Sequence, residues 1–263
     1  MLGNKNLFDF MIRFLENYPA LFIKKEKILT IADLHLGLEH ELFKSGIIIP
    51  SQAEKFRKIV DELIEKTGAR ILVILGDIKH EVPGISYREE KEIPKLFSRL
   101  IERVKIICCK GNHDSFLEKI LPKEVKIYSS RGFKIGKYGF FHGHAWPSKK
   151  LIECDYLSMG HIHPVIEIRD SLGYRTIEQV WVKAKLNKSL IRKKYKTKKT
   201  GRLELIIFPS FNKLVGGIPL NKLEESELTG PLISKSFIEL DKAKIYLLDG
   251  TFLGNLKLIK TSF

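Results

Sequence analysis

"RILVILGD", residues 70 to 77, is an unbroken apolar run that stops on a glycine and an aspartate. A short run of Ile, Leu and Val closed by a turn signal predicts a strand buried on both faces, as in parallel sheets. Four further runs share this design: "KILTIAD" (27 to 33), "VKIICCKGN" (104 to 112), "YGFFHG" (138 to 143) and "DYLSMGH" (155 to 161). Each ends on a polar, chemically useful residue.

Between the first three strands lie "SQAEKFRKIVDELIEKTG" (51 to 68) and "YREEKEIPKLFSRLIERV" (87 to 104), whose apolar residues recur at helical spacing. Pro94 is expected in the first turn of the second helix, where its missing N–H costs nothing. The alternation predicts βαβ crossovers in the first half. From about residue 132, hairpin signals replace helices: "FKIGKYGFF" turns at Gly136 and "YLLDGTFLG" at Asp249-Gly250. The expected fold is α/β, with a mainly antiparallel second half and a C-terminal β-hairpin region over 231–263. No linker is evident, so residues 1–263 read as a single domain.

The chain carries 46 Lys and Arg against 31 Asp and Glu, a formal net charge of +15. This balance points to an anionic partner, with nucleic acid foremost. Residues 183–202, KAKLNKSLIRKKYKTKKTGR, hold ten of those cations and no acid, and read as a basic hairpin or loop inserted between two strands. Within it Lys193, Lys194, Lys196, Lys198 and Lys199 could track phosphates and Tyr195 could stack on a base. A solvated loop is the competing reading of such a run.

Three cysteines (Cys108, Cys109, Cys154) lie in apolar contexts without metal-finger spacing, which argues against both a disulfide framework and a zinc ribbon and fits a cytoplasmic setting. Asp9, Arg13 and Glu16 interrupt the apolar residues of the N-terminal stretch, unlike a signal peptide. No apolar run approaches bilayer length, so no membrane association is expected.

The histidines are the sharpest feature. Seven of the eight fall beside strand ends, and none occurs in the last hundred residues. In an extended chain residues i and i+2 project to one side, so Asp33 with His35 and His161 with His163 could each enter one site. Asp77, Asn112, His113 and His142 stand at the other strand ends, where open α/β sheets place their ligands. This mixture of carboxylate, imidazole and amide oxygen suits one or two borderline divalent cations such as Mn, Zn or Fe. Asp77 is placed to bridge two ions. Read singly, Asp33 or Asp77 could be a helix cap and His40 a solvated turn residue.

The five blocks D-x-H, G-D-x-x-H, G-N-H-D, H and G-H-x-H, in this order over residues 33 to 163, resemble the calcineurin-like metallophosphoesterases. "ADLHLGLEHELFKSGIIIP" (32 to 50), "LGDIKHE" (75 to 81) and "FPSFNKLVGG" (208 to 217) are most similar to their SbcD-related, ligase-associated, PdeM-like branch and its archaeal relatives. The resemblance implies a four-layer α/β/β/α sandwich with a dimetal site that activates water against a phosphoester, Mn favoured and Zn, Fe or Ni compatible. It assigns Asp33, His35, Asp77 and His163 to one ion and Asp77, Asn112, His142 and His161 to the other, with His144 an alternative to His142.

It also implies that His113 protonates the leaving oxygen or stabilises phosphate charge, and that Asp114 orients its neighbours by hydrogen bonding. His80 stands where many phosphomonoesterases of the family carry Asp. Histidine there is similar to the SbcD-type nucleases, which favours diesters and DNA over RNA, with a helicase or ligase as the kind of protein partner. A phosphodiesterase or phosphatase for a small nucleotide, and a nucleic-acid-binding module with a structural metal, are the competing readings.

Overall fold

The computed structural model describes residues 11–222 and 229–262; the first ten residues of the stretch read for a leader and the last residue of the C-terminal region lie outside them. Two sheets form its centre. The first has six strands, β1 Ile12–Phe14, β2 Leu21–Ile23, β3 Ile28–Ile31, β4 Ile71–Ile74, β5 Lys105–Cys109 and β6 Lys126–Tyr128, adjacent in chain order. β1 to β3 pair antiparallel and β3 to β6 parallel. The first two parallel steps are crossovers through α1 (Leu38–Lys44) and α2 (Ala53–Thr67), then α3 (Tyr87–Ile101).

The second sheet contains β7 Phe133–Ile135, β8 Tyr138–Phe141, β9 Tyr156–Met159, β10 Pro164–Arg169, β11 Arg175–Lys185, β12 Glu204–Ile207 and β13 Ile218–Pro219. Their spatial order is β13-β10-β11-β12-β9-β8-β7, with the hairpin β14 (Lys244–Leu247) and β15 (Phe252–Asn255) joined through β11. Pairing is mainly antiparallel, but β8, β9 and β12 run parallel to one another and β13 runs parallel to β10. Both predicted hairpin turns form, at Gly136 and at Asp249-Gly250.

Side-chain alternation builds four layers. In β4, Leu72 and Ile74 pack under Phe56, Val60 and Leu63 of α2 and Ile93, Phe97 and Leu100 of α3. Val73, pointing the other way, joins Ile107 and Cys109 against Phe140, Trp181, Ile206 and Phe208 of the second sheet. On that sheet's outer face, Leu157, Val182 and Leu205 pack on Ile191 of α4 (Lys188–Tyr195) and on Leu256 and Ile259 of α5 (Leu256–Ser262). The expected α/β/β/α sandwich is therefore present, and burial on both faces explains the continuous apolar runs.

Two local expectations are corrected. Pro94 lies mid-way along α3, because Ser86 starts the helix a full two turns earlier. The Ser86 hydroxyl accepts the Glu89 N–H while the Glu89 carboxylate accepts the Ser86 N–H, a reciprocal cap worth about 1 kcal/mol. That cap and the buried stripe of Ile93, Phe97 and Leu100 offset the lost hydrogen bond at proline.

The basic segment, in turn, is neither hairpin nor plain loop. Asn187 caps α4 by accepting the N–H groups of Ser189 and Leu190, and fully buried Ile191 anchors it to the second sheet. One apolar anchor in eight residues is too sparse for periodicity to register.

Candidate metal centre

The site lies at the carboxyl ends of β3, β4, β5, β8 and β9, where the two sheets meet. Loops zip the edge together: His35 donates its N–H to the Asp77 carbonyl at 2.8 Å, and His80 to the Leu36 carbonyl at 2.9 Å. Across the sheets, the His161 N–H donates to the Asp33 carboxylate at 3.2 and 3.1 Å. The loop after β12 completes the clamp. Ser210 donates its hydroxyl to the Asp33 carbonyl (2.8 Å) and Asn212 its amide to the Leu34 carbonyl (3.0 Å).

The backbone that aims the ligands is not extended. Asp33, His35, Asp77, His161 and His163 all take positive φ, at 56°, 41°, 47°, 77° and 42°. The i, i+2 pairs converge because each chain turns sharply on leaving its strand, which corrects the extended-strand account. Such conformations cost about 1–3 kcal/mol each and persist only where surroundings impose them. Glycine before the ligands is a matter of space: a Cβ on Gly111 would sit 2.0 Å from Asp77 Oδ1, and one on Gly76, itself at φ +83°, 2.6 Å from His142 Nδ1.

Ligand atoms gather into groups that could hold a metal ion, Asp33-His35-His163 and Asp77-His142-His161, and a third group, His35-His80-His113, adjoins the first. Asp77 faces both of the first two. Its Oδ2 is 3.5 Å from His35 Nε2 and 3.3 Å from His142 Nε2, while Oδ1 accepts the His113 N–H at 2.9 Å. Asn112 Oδ1 lies 3.2 Å from His142 Nε2. The fully buried His142, not the half-buried His144, belongs to the Asp77 group.

The donor set fits cations. Asp33 and Asp77 are 0 % and 2 % exposed, yet among the described residues their only ion-pair partners are histidines. Two buried carboxylates without a fixed cation are costly. His35 Nε2 and His163 Nε2 are buried with no hydrogen-bond partner and lie 3.5 Å from Asp77 and 3.6 Å from Asp33. Carbonyls can only accept, so His142 Nδ1, 2.7 Å from the Leu75 carbonyl, carries its proton and leaves Nε2 toward Asp77.

Burial holds the His35 imidazole down near pKa 2, against the pull of Asp77, and burial with the His142 charge holds His161 near 3. Burial also pushes His142 down, but the adjacent Asp77 carboxylate overcomes it and raises it to about 9. Asp77 itself stays ionised: burial opposes this, and His142 and His35 outweigh it. Burial, reinforced by Asp77, lifts Asp114 to about 6.

Asp114, fully buried, accepts the N–H groups of Ile78, Lys79 and Gly111, tying the loop after β4 to that after β5. The His113 ring stacks on that of His80 with centroids 5.4 Å apart, and its Nδ1 donates to the His80 carbonyl at 2.6 Å, leaving Nε2 free. His80 is held from both sides: its Nδ1 is 3.2 Å from His35 Nδ1, and its Nε2 2.6 Å from Glu41 Oε2. Glu41, Glu89, Ser210 and Asn212 were not expected as site residues. Glu89 accepts the N–H groups of His80 and Glu81. In the sequence, Glu41 follows "ADLHLG" (32 to 37), Glu89 follows "GDIKHE" (76 to 81), and Ser210 and Asn212 stand within "FPSFNKLVGG".

The lysines of 193–199 are exposed along and after α4 and belong to none of these ligand groups. Tyr195 has a structural engagement: its hydroxyl donates to the Pro147 carbonyl at 2.6 Å and its partly buried ring packs edge-on to Trp146, so it pins α4.

Residues 26–200, more than half of the chain, match the family model described as calcineurin-like phosphoesterase. No curated protein sequence gives a significant match. Among solved structures, the nuclease MPE of Pseudomonas putida is similar at 16% identity and TM-score 0.55, over 89% of this chain and 92% of that one. Yfce, a phosphoesterase from E. coli, has 17% identity and TM-score 0.40 over 86% and 96%. No helix among the described residues is long and apolar enough to cross a membrane. With its strand-end ligands and matching family model, the chain belongs to the calcineurin-like phosphoesterases, hydrolases of phosphoester bonds.

Proposed function

We propose that the protein is a metal-dependent phosphodiesterase acting on nucleic acid, DNA rather than RNA, in cytoplasmic DNA maintenance. The observation that carries the dimetal reading is the position of Asp77 Oδ2, within 3.5 Å of His35 Nε2 and 3.3 Å of His142 Nε2, between two separate ligand groups. Asp33, His35, Asp77 and His163 would hold one divalent cation and Asp77, Asn112, His142 and His161 the other. Manganese is favoured, because imidazole and carboxylate are mixed without thiolate. Such a pair, when bound, lowers the pKa of water and offsets charge at phosphorus.

The chain's own residues do the rest. His113, its Nδ1 engaged with the His80 carbonyl, offers Nε2 as the atom that gives a proton to the leaving oxygen or steadies the phosphate charge. His80, held by Glu41, supplies an imidazole at the position where many phosphomonoesterases of the family carry Asp, which supports a diester substrate. Both sheets contribute ligands, so the chain works as one domain. The net charge of +15 supports a polyanionic substrate.

The test compares Mn-loaded protein on bis-p-nitrophenyl phosphate, p-nitrophenyl phosphate and DNA with the Asp77→Asn and His113→Ala variants. The reading expects diester and DNA turnover that both substitutions abolish or cut by about 10²-fold or more. Preference for the monoester, with DNA untouched, would instead indicate a small-molecule phosphatase. Equal turnover by all three proteins would end the enzymatic assignment of these residues.

A further inference from the structure

Beside the metal centre, the chain that carries His142 and His144 runs on through Ala145 to Trp146. There it borders an open recess of about 580 Å³ lined by Ser130, Arg131, Ala145, Trp146, Lys194 and Tyr195. Trp146 is four positions after His142, so their Cα atoms lie within about 14 Å of each other. The recess is reachable by a chain whose phosphodiester occupies the metal centre.

Its chemistry is aromatic and cationic. Trp146 is half-buried, braced edge-on by Phe237 at 4.9 Å and by Tyr195 at 6.5 Å. Lys194 Nζ lies 4.3 Å from the ring centroid, and Lys235 Nζ 6.0 Å. No residue lining the recess is acidic, and Arg131, Lys194 and Lys235 form no ion pair among the described residues. The Tyr195–Pro147 hydrogen bond and buried Ile191 fix α4 here, so the lysine-rich segment is held next to the active-site loop.

We propose that this recess is a subsite for single-stranded nucleic acid, with an unpaired base stacked on Trp146 and its flanking phosphates held by Arg131, Lys194 and Lys235. Stacking needs a base free of its partner, which selects single strands or frayed ends over intact duplex. The contact of an exposed lysine with an indole is weaker than base stacking on one, so a base displaces Lys194, and the freed ammonium turns to the phosphate. This inference rests on the nucleic-acid reading of the metal centre.

The chain contains two tryptophans, Trp146 and the fully buried Trp181, so stacking reports through Trp146 alone. The metal-loaded full chain is titrated with a phosphorothioate oligothymidylate of about a dozen nucleotides, comparable to single-strand site sizes. Expected are quenching of tryptophan fluorescence and an affinity lowered about tenfold by Trp146→Ala. Arg131→Gln/Lys194→Gln should also lower affinity and flatten the log affinity against log salt slope by about 0.7 per lost contact. The second variant alters only surface charge, so it keeps the test decisive should Trp146→Ala fail to fold.

Binding without quenching, and with affinity and salt slope unchanged in the double variant, overturns the subsite. Oligonucleotide cleavage at the same KM in wild type and double variant overturns it while leaving the nuclease reading intact. Hydrolysis of bis-p-nitrophenyl phosphate with no oligonucleotide bound overturns both.

Discussion

The main-chain N–H of His161 donates to both oxygens of the Asp33 carboxylate, so a residue at the end of β9 in one sheet is held by a residue at the end of β3 in the other. The carboxylate, fully buried, thus serves as clamp and candidate ligand together. Asparagine at this position keeps an acceptor for the His161 N–H and alanine does not. Metal-free Asp33→Ala is therefore expected to be less stable than Asp33→Asn by about 1–3 kcal/mol, the cost of an unsatisfied buried N–H. Urea unfolding of the two variants checks this, and equal midpoints would show that the clamp contributes nothing.

Gly111 tests how tightly the loops close on Asp77. A Cβ there would overlap Asp77 Oδ1, whereas one on Gly46 meets nothing within 4 Å. Gly111→Ala should cost about 1–3 kcal/mol through overpacking and displace the carboxylate, lowering diester hydrolysis as well. Gly46→Ala, at φ +82°, pays only backbone strain and should leave turnover intact. Thermal melts and initial rates on the pair separate crowding from conformation; full activity in Gly111→Ala would contradict the packing.

The stability of metal-free protein should depend on pH in a defined direction. His35, His161 and His144 are held below their ordinary value of 6.5, to about 2, 3 and 4, in each case chiefly by burial. Between 6.5 and those values the unfolded chain binds more protons than the folded one, so stability falls as pH drops through this window. Asp114, raised to about 6, opposes the trend with one proton against three. His142, raised to about 9, adds the reverse slope above 6.5. Chelator-treated protein should melt highest near pH 6.5 and lower at pH 4.5 and 9; a flat profile would refute these environments.

Glu41 is expected to act through His80. Its carboxylate, 2.6 Å from His80 Nε2, fixes that nitrogen as the donor and leaves Nδ1 to accept from His35 Nδ1, so that His35 Nε2 keeps its lone pair toward Asp77. Loss of such an outer partner typically costs 10–100-fold. Glu41→Ala should lower metal affinity or turnover by about that factor, and Glu41→Gln, which retains an acceptor, should recover much of it. Wild-type metal titrations and rates in Glu41→Ala would remove Glu41 from the site.

Strand placement was legible because Leu72, Val73 and Ile74 are buried on alternate faces of β4, so burial writes an apolar run directly into the chain. The polar groups at the strand ends were legible too, since Asp33, Asp77, Asn112, His142 and His161 each follow such a run. Helix α4 was not, because a single buried anchor, Ile191, leaves no period to detect. Pro94 misled for a related reason: the helix start is fixed by the Ser86–Glu89 cap, which outweighs the proline.

By itself, then, the sequence determined which segments become strands and which polar groups stand at their ends, because local burial and turn chemistry are short-range. Tertiary structure alone decided the rest. It set the left-handed turns that aim Asp33, Asp77 and His163, and brought His142 rather than His144 into the group with Asp77. It also placed Asp77 between two imidazoles, and put Ser210 and Asn212, some 177 residues away in sequence, against the backbone at Asp33 and Leu34. Those outcomes depend on contacts between distant segments that exist only once two sheets have packed face to face, and no local pattern encodes their distances.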